Sequence, residues 1–322
     1  MAIFWNQKFN AQRSLSFFII GVMSLSGQAI SGRELALNIH PVTDNVWLVQ
    51  GVAEELSKEN HGNISNSAFI ATGDGVVVID TGTTHAYGVQ LRKAIAGYTD
   101  EPVRWVLNTH HHPDHVFGNS AFSDLPIMAL DETRSELKRV GNIFLNTLQQ
   151  RIGKNSDKTT LLLPNILIKP GLKEFSGYPL NLMRFTGHTG HDLVIYDPQS
   201  GTLFAGDMLF WQRAPTTPHS PGIDIWLSEL SRLENLEPKN IIPGHGPFST
   251  SLAPIKQTRE WLKWLDALMK EGVANGKSAN ALIDTEIPDS FVDMPLARYE
   301  LTRSISHFYR SYENAWWDSD KQ

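Results

Sequence analysis

The hydrophobic pattern along the chain switches repeatedly between two periods. Short runs rich in β-branched and aromatic residues, at 46–50 (VWLVQ), 67–72 (SAFIAT) and 75–80 (GVVVID), predict strands separated by glycine-containing turns. Residues 84–98 follow, with Tyr87, Leu91 and Ile95 at helical spacing. Strands are expected again at 103–107 (VRWVL) and 126–130 (PIMAL). A charged, amphipathic helix then covers 131–152, with Asp131 placed to cap it. Further strands are predicted at 179–185, 192–197, 202–205 and 240–242, and a helix at 225–236 that groups Trp226, Leu230 and Leu233. Beyond Pro247 the pattern is wholly helical, over 252–271, 278–283 and 295–317. With no internal repeat and no linker-like stretch, this predicts one α/β domain over residues 30–322, helical from about residue 252 onward.

The first thirty positions read differently. Lys8 and Arg13 precede an apolar stretch, LSFFIIGVMSL, which runs into Ser26-Gly27-Gln28-Ala29, and small residues stand three before and one before a cut after Ala29. This is the three-part pattern of a signal peptide over residues 1–29, and it predicts export to the periplasm. A membrane anchor or a buried helix is the alternative, although the apolar core is short for a span of about 20 residues. Elsewhere no apolar run is long enough to cross a bilayer, so the mature protein is expected to have no membrane span. The absence of cysteine excludes disulfides, thiolate ligands and a cysteine nucleophile. Removing residues 1–29 takes away two positive charges and moves the net charge from −6 to −8. An acidic chain with no Lys/Arg cluster argues against a nucleic-acid partner.

The chemistry concentrates in Asn108-Thr109-His110-His111-His112-Pro113-Asp114-His115. In a chain with 12 histidines, a chance His-x-His-x-Asp-His is on the order of one in a thousand. Residues i and i+2 of an extended segment project to the same side, so His110 and His112 can reach one ion. His111 has the wrong phase. Pro113 forces a turn, after which Asp114 and His115 can face a second ion. A polar surface loop is the bland alternative. Three later sites each offer one donor beside a glycine and just past a predicted strand: Gly187-His188-Thr189, Gly206-Asp207-Met208 and Gly244-His245-Gly246. The assignment that follows is His110, His112 and His188 on one ion, Asp114, His115 and His245 on another, and Asp207 bridging. An all-N/O donor set fits two Zn²⁺ best, with iron or manganese also compatible. Asp80, ending another strand, is expected to orient a ligand or the main loop, or to be a simple turn residue.

These residues, in this order from Asp80-Thr81-Gly82 to Gly244-His245-Gly246, resemble the metallo-β-lactamase superfamily. The resemblance implies a four-layer αβ/βα sandwich with a dinuclear zinc centre at one edge. It also implies a metal-bound hydroxide that attacks an ester, thioester or amide, with Asp114 as the catalytic residue orienting it. Asp207 in place of a cysteine or serine, with Gly-Asp-Met-Leu-Phe, resembles the glyoxalase II-like branch. The 187–191 stretch is one residue shorter than the glyoxalase II pattern. Residues 210–219 (FWQRAPTTPH), with the export signal, are most similar to exported quinoprotein relay system zinc metallohydrolases. That similarity implies a small-molecule substrate and a link to a quinoprotein partner. Within this stretch Arg213 is expected to bind a substrate anion or to form a structural ion pair, and Trp211 and His219 to line the pocket. Two readings compete with a hydrolase: a mononuclear iron enzyme of the persulfide dioxygenase type, and a non-catalytic metal-binding partner of a quinoprotein.

Overall fold

In the computed structural model, which describes residues 36–153 and 158–319, the first seven strands pair in simple sequence order. These are β1 (Asn38–Pro41), β2 (Val46–Gln50), β3 (Ser67–Ala71), β4 (Val76–Ile79), β5 (Val103–Leu107), β6 (Ile127–Leu130) and β7 (Ile166–Ile168). The pairing is antiparallel as far as β4 and parallel from β4 to β7. A second sheet has the order β12-β11-β10-β9-β8. Its strands are β8 (Gly171–Phe175), β9 (Tyr178–Phe185), β10 (Asp192–Asp197), β11 (Thr202–Phe210) and β12 (Asn240–His245). Only β11 and β12 pair in parallel. The expected export signal lies outside the described residues.

Side-chain alternation along these strands builds the layers. Val46, Leu48, Ile70, Val77 and Ile79 face Leu180, Leu182, Leu193, Ile195 and Phe204, so the two sheets share a buried interface. The alternate residues Trp47, Val49, Phe69, Val76 and Val78 pack outward on Tyr87, Leu91 and Ile95 of α1 (His85–Ile95). On the far side of the second sheet, Val194, Leu203 and Ala205 join a core with α4 (Ile223–Glu234), α5 (Ala253–Ala274) and α7 (Ala297–Ser319). The result is helix, sheet, sheet, helix, the four-layer α/β arrangement expected. Burying each such aliphatic or aromatic side chain is worth about 1.5–3 kcal/mol, which is why β3 and β4, apolar on both faces, sit in the middle.

The structure departs from expectation at the polar edges. β1, β7 and β8 were not legible because they are short and largely exposed, with little alternation to betray them. Asp131 does not cap α3 (Asp131–Ile152): Leu130 holds the cap position, and Asp131 is the first helical residue, favourable for the helix dipole instead. β11 continues through Asp207 to Phe210, and β12 reaches His245, so these two donors lie inside strands rather than past them. Register shifts between β11 and β12 around Gly206 accommodate the glycines.

Candidate metal centre

The first four donors are delivered where β5 leaves its sheet. The chain bends at 110–111, returns to extended backbone at His112, and Pro113 then opens the short helix α2 (Pro113–Val116). The hub of this turn is Asp80, buried at a positive φ of 58° just after β4. Its carboxylate accepts from the Thr109 N–H (2.8 Å), the Thr109 hydroxyl (2.7 Å) and His115 Nδ1 (2.8 Å).

The other donors come one at a time. Asp192, at the start of β10, accepts from the backbone N–H of His188 and Thr189, both at 3.0 Å, and from the Thr189 hydroxyl (2.7 Å), closing the loop that carries His188. Asn66 donates to the carbonyls of Pro243 (2.8 Å) and Gly246 (2.7 Å), holding the end of β12. Two glycines permit the approach. A Cβ on Gly244 would stand 2.0 Å from Asp207 Oδ1, and one on Gly246, at φ +95°, would stand 1.8 Å from the Trp211 carbonyl oxygen.

All seven residues converge. His110, His112, His188 and Asp207 form one group of compatible donor atoms, and Asp114, His115 and His245 form another. His188 Nε2 lies 3.0 Å from His112 Nδ1 and 3.2 Å from Asp207 Oδ2, and His110 Nε2 lies 3.8 Å from that oxygen. Asp207 Oδ1 faces the second group, 3.1 Å from His115 Nε2 and 3.4 Å from His245 Nε2. Asp114 Oδ2 is 3.4 Å from His245 Nε2 and 3.7 Å from His115 Nε2. One carboxylate therefore sends one oxygen to each group.

Hydrogen bonds on the outer nitrogens dictate which lone pairs face inward. Asp80 can only accept, so His115 carries its proton on Nδ1. The Ile64 carbonyl likewise takes the Nδ1 proton of His245 (2.7 Å). The Thr109 hydroxyl gives its proton to Asp80, so at 3.0 Å it accepts from His110 Nδ1. His112 Nε2 meets His219 Nδ1 at 2.6 Å. Asp80 thus sets the tautomer of one histidine in each group.

The inner atoms fit a cation. His110 Nε2, His115 Nε2 and Asp207 Oδ1 are buried and have no hydrogen-bond partner, a costly arrangement unless something binds there. Burial, reinforced by His115, holds His110 well below the ordinary imidazole range, and burial does the same to His112, so both offer neutral lone pairs. Burial opposes charge on His115, yet the carboxylates of Asp207, Asp114 and Asp80 outweigh it and raise its pKa well above normal. Burial also opposes charge on Asp207, and the surrounding histidines, His245 foremost, outweigh it and hold it well below the carboxylate range. The space between the groups favours positive charge.

A cavity of about 240 Å³ opens over this centre. His112, Asp114, Asp207 and His245 form its floor, and Phe144, Arg213 and His219 stand in its wall. Trp211, expected in the pocket, is not among the lining residues; its backbone N–H instead bonds the His245 carbonyl at 3.0 Å. Arg213 is buried and lies 3.7 Å from Glu300. His111 packs flat on Phe144, with ring centroids 6.3 Å apart. Tyr299, Glu300 and Arg303 of α7 also line the cavity and were missed; the one available signal was the Glu-x-x-Arg spacing on a helix. A larger groove, about 490 Å³ between α4, α5 and α7, contains none of the seven donors.

Comparison with known proteins gives the family and the fold. The profile of the metallo-beta-lactamase superfamily matches residues 62–245, more than half of the chain. A probable metallo-hydrolase of Bacillus subtilis, YybB, is 27% identical over 186 residues, covering 55% of this chain and 79% of that protein. A hydroxyacylglutathione hydrolase of Rhizobium meliloti is more distant, at 24% over 145 residues, 39% of this chain and 49% of that protein. Among solved structures, a metallo-beta-lactamase from Pontibacter korlensis superposes with a TM-score of 0.57 at 20% identity, covering 71% of this chain and 99% of the other. The mono-zinc form of FIM-1 from Pseudomonas aeruginosa gives 0.57 at 18%, covering 72% and 96%. At these identities the structural likeness speaks for the fold alone, while the profile match speaks for the family. The chain belongs to the metallo-beta-lactamase superfamily.

Proposed function

We propose that this chain is a dinuclear zinc-dependent hydrolase that cleaves an ester, thioester or amide bond of a small periplasmic molecule. The observation that carries the reading is the bridging position of Asp207. Its two oxygens face two separate donor groups, and an inner nitrogen of each group, His110 Nε2 and His115 Nε2, is buried without a hydrogen-bond partner. His110, His112 and His188 would hold one ion, Asp114, His115 and His245 the other, with Asp207 shared. Nitrogen and oxygen donors of this kind suit zinc. When bound, the ions supply Lewis acidity, which activates water near neutral pH and polarises a carbonyl.

The protein's own part is positioning and proton handling. Asp80, Thr109 and the Ile64 carbonyl lock the donor rings, so little reorganisation is needed as charge develops. Asp114 is more open to the cavity than Asp207, with side-chain exposures of 15% and 3%. Its Oδ2 faces His115 and His245, and its other carboxylate oxygen would orient the attacking water and hold the proton it releases. Phe144 and Leu56 give the cavity an apolar wall that limits bulk water.

The signal-peptide pattern of residues 1–29 supports the periplasm as the location. The 210–219 stretch supports a quinoprotein dehydrogenase system as the partner. Elemental analysis of the purified mature protein beside Asp207→Ala tests the centre. About two zinc ions per chain, falling sharply in the variant, is the expected result, to be followed by an ester and thioester screen. One iron per chain moves the reading to persulfide dioxygenase chemistry. No metal after reconstitution moves it to a binding role.

A further inference from the structure

The cavity has a second wall that the metal chemistry does not use. Glu300 and Arg303, one helical turn apart on α7, enter it beside Arg213 from the segment after β11. α7 is fastened there by hydrogen bonds from Thr217 to Ser304 (2.7 Å) and from Thr216 to Glu300 (2.8 Å). Glu300 is fully buried, and both its oxygens take Arg303 Nη1 at 3.1 Å, while Arg213 Nη2 stands 3.7 Å away. Two guanidinium groups therefore share a single carboxylate, leaving one positive charge in excess.

Arg213 is also short of partners. It is 4% exposed, its Nη1 reaches Thr216 at 3.4 Å, and its Nε has no hydrogen-bond partner. A guanidinium carries five donors, and leaving them unpaired in a buried site is costly. Arg303 keeps 35% of its side chain exposed and, among the described residues, engages Glu300 through Nη1. Apart from Asp114 and Asp207 on the cavity floor, the remaining charges of the lining are solvated: Arg151 pairs with Glu55 at 3.6 Å with both about half exposed, and the exposed Glu54 accepts from Asn60. These contribute little in water and salt.

We propose that Arg213 and Arg303 form an anion subsite, and that the substrate of this hydrolase carries a carboxylate group apart from the bond that is cleaved. A planar carboxylate matches the guanidinium fork. A single excess charge suits a monoanion better than a doubly charged phosphate. Glu300 is a positioning residue that holds the two cations together. The inference rests on the hydrolase reading, because it assigns the scissile bond to the opposite end of the same cavity.

The test uses the zinc-loaded, full mature chain and two probes at fixed ionic strength: neutral p-nitrophenyl acetate and the anionic mono-p-nitrophenyl succinate. The wild type should favour the anionic ester about tenfold or more in kcat/KM, as charge-assisted hydrogen bonds imply. Arg303→Gln should abolish that preference mainly through KM, and Arg303→Lys should retain part of it. Calorimetric titration with succinate, against succinamide as the neutral control, gives a readout independent of turnover. Succinate should bind about tenfold more weakly to Arg303→Gln, and the zinc ions common to both proteins cancel. If neither ester is cleaved but succinate binding depends on Arg303, the hydrolase reading fails and the anion subsite stands. If p-nitrophenyl acetate is cleaved while ester charge and Arg303→Gln make no difference, the subsite is overturned and the hydrolase stands.

Discussion

The two halves of the candidate metal centre are built by opposite strategies. In the first half, a single turn after β5 contributes His110, His112, Asp114 and His115 within six residues. In the second, His188, Asp207 and His245 arrive from three separate elements, one donor each. The first half is locally determined: the bend at 110–111 and the helix opened by Pro113 sort four donors between two groups. The second half has no local logic of its own. Its donors meet only because β11 lies beside both β10 and β12 and because Gly244 lets β12 pass against Asp207. A loop can be densely armed, but the donor shared between the groups comes from the dispersed half.

That contrast can be broken by substitution. The largest effect is expected for Asp207→Ala, which removes the one residue serving both groups. Bound zinc should fall from about two ions to near none. His245→Ala, by contrast, should leave about one ion, because the group of His110, His112, His188 and Asp207 is intact. Metal analysis of the pair decides whether the bridge matters more than a terminal donor; equal losses would refute the asymmetry.

Gly244→Ala asks whether the dispersed half depends on close backbone approach. The added Cβ stands 2.0 Å from Asp207 Oδ1 and 2.7 Å from the Gly206 carbonyl carbon, so β11 or the carboxylate must move. Sites of this kind tolerate displacements of only about 0.5 Å, so zinc affinity should drop at least about tenfold. A chelator competition assay reads this, and wild-type affinity in the variant would mean that the strand pair yields easily.

Asp80→Ala probes the concentrated half. It strips the anchors from His115 and, through Thr109, from His110, so both groups weaken together. Loss of such outer hydrogen bonds typically costs about 10–100-fold in metal affinity. Stepwise titration that shows only one site affected would contradict the double role given to Asp80.

The smallest effect serves as the reference. Thr84 caps α1 by accepting from the Tyr87 N–H, and it belongs to neither donor group. Thr84→Ala should cost about 1 kcal/mol in denaturant unfolding while the zinc content stays at the wild-type value.

The same contrast explains what was readable beforehand. The central strands and the helices α1, α3, α4 and α5 announced themselves because one or both faces are apolar, and the period of that pattern is a local property. The exposed edge strands β1, β7 and β8 were missed because they bury too little to leave a pattern. The seven residues that the structure brings together were all legible, since histidines and aspartates beside glycines stand out at turns. Their strand positions were misjudged at Asp207 and His245, where polar residues interrupt the apolar run although the backbone pairing continues. Arg213, expected to bind an anion or form an ion pair, lines the cavity 3.7 Å from Glu300; His219 lines it as expected, and Trp211 does not. Glu300 and Arg303, more than eighty residues further on, fall in a stretch that the sequence marks only as helix.

The sequence by itself determined the α/β class, through hydrophobic period, and the chemical identity of the candidate donor set, through residue type and spacing along the chain. Both are encoded in neighbours. Tertiary structure alone decided which oxygen of Asp207 faces which group, that Asp80 orients a histidine in each, and that α7 closes the cavity with Arg303 and a buried Glu300. Those outcomes depend on side chains distant in sequence sharing one small, water-poor space, and no local pattern carries that information.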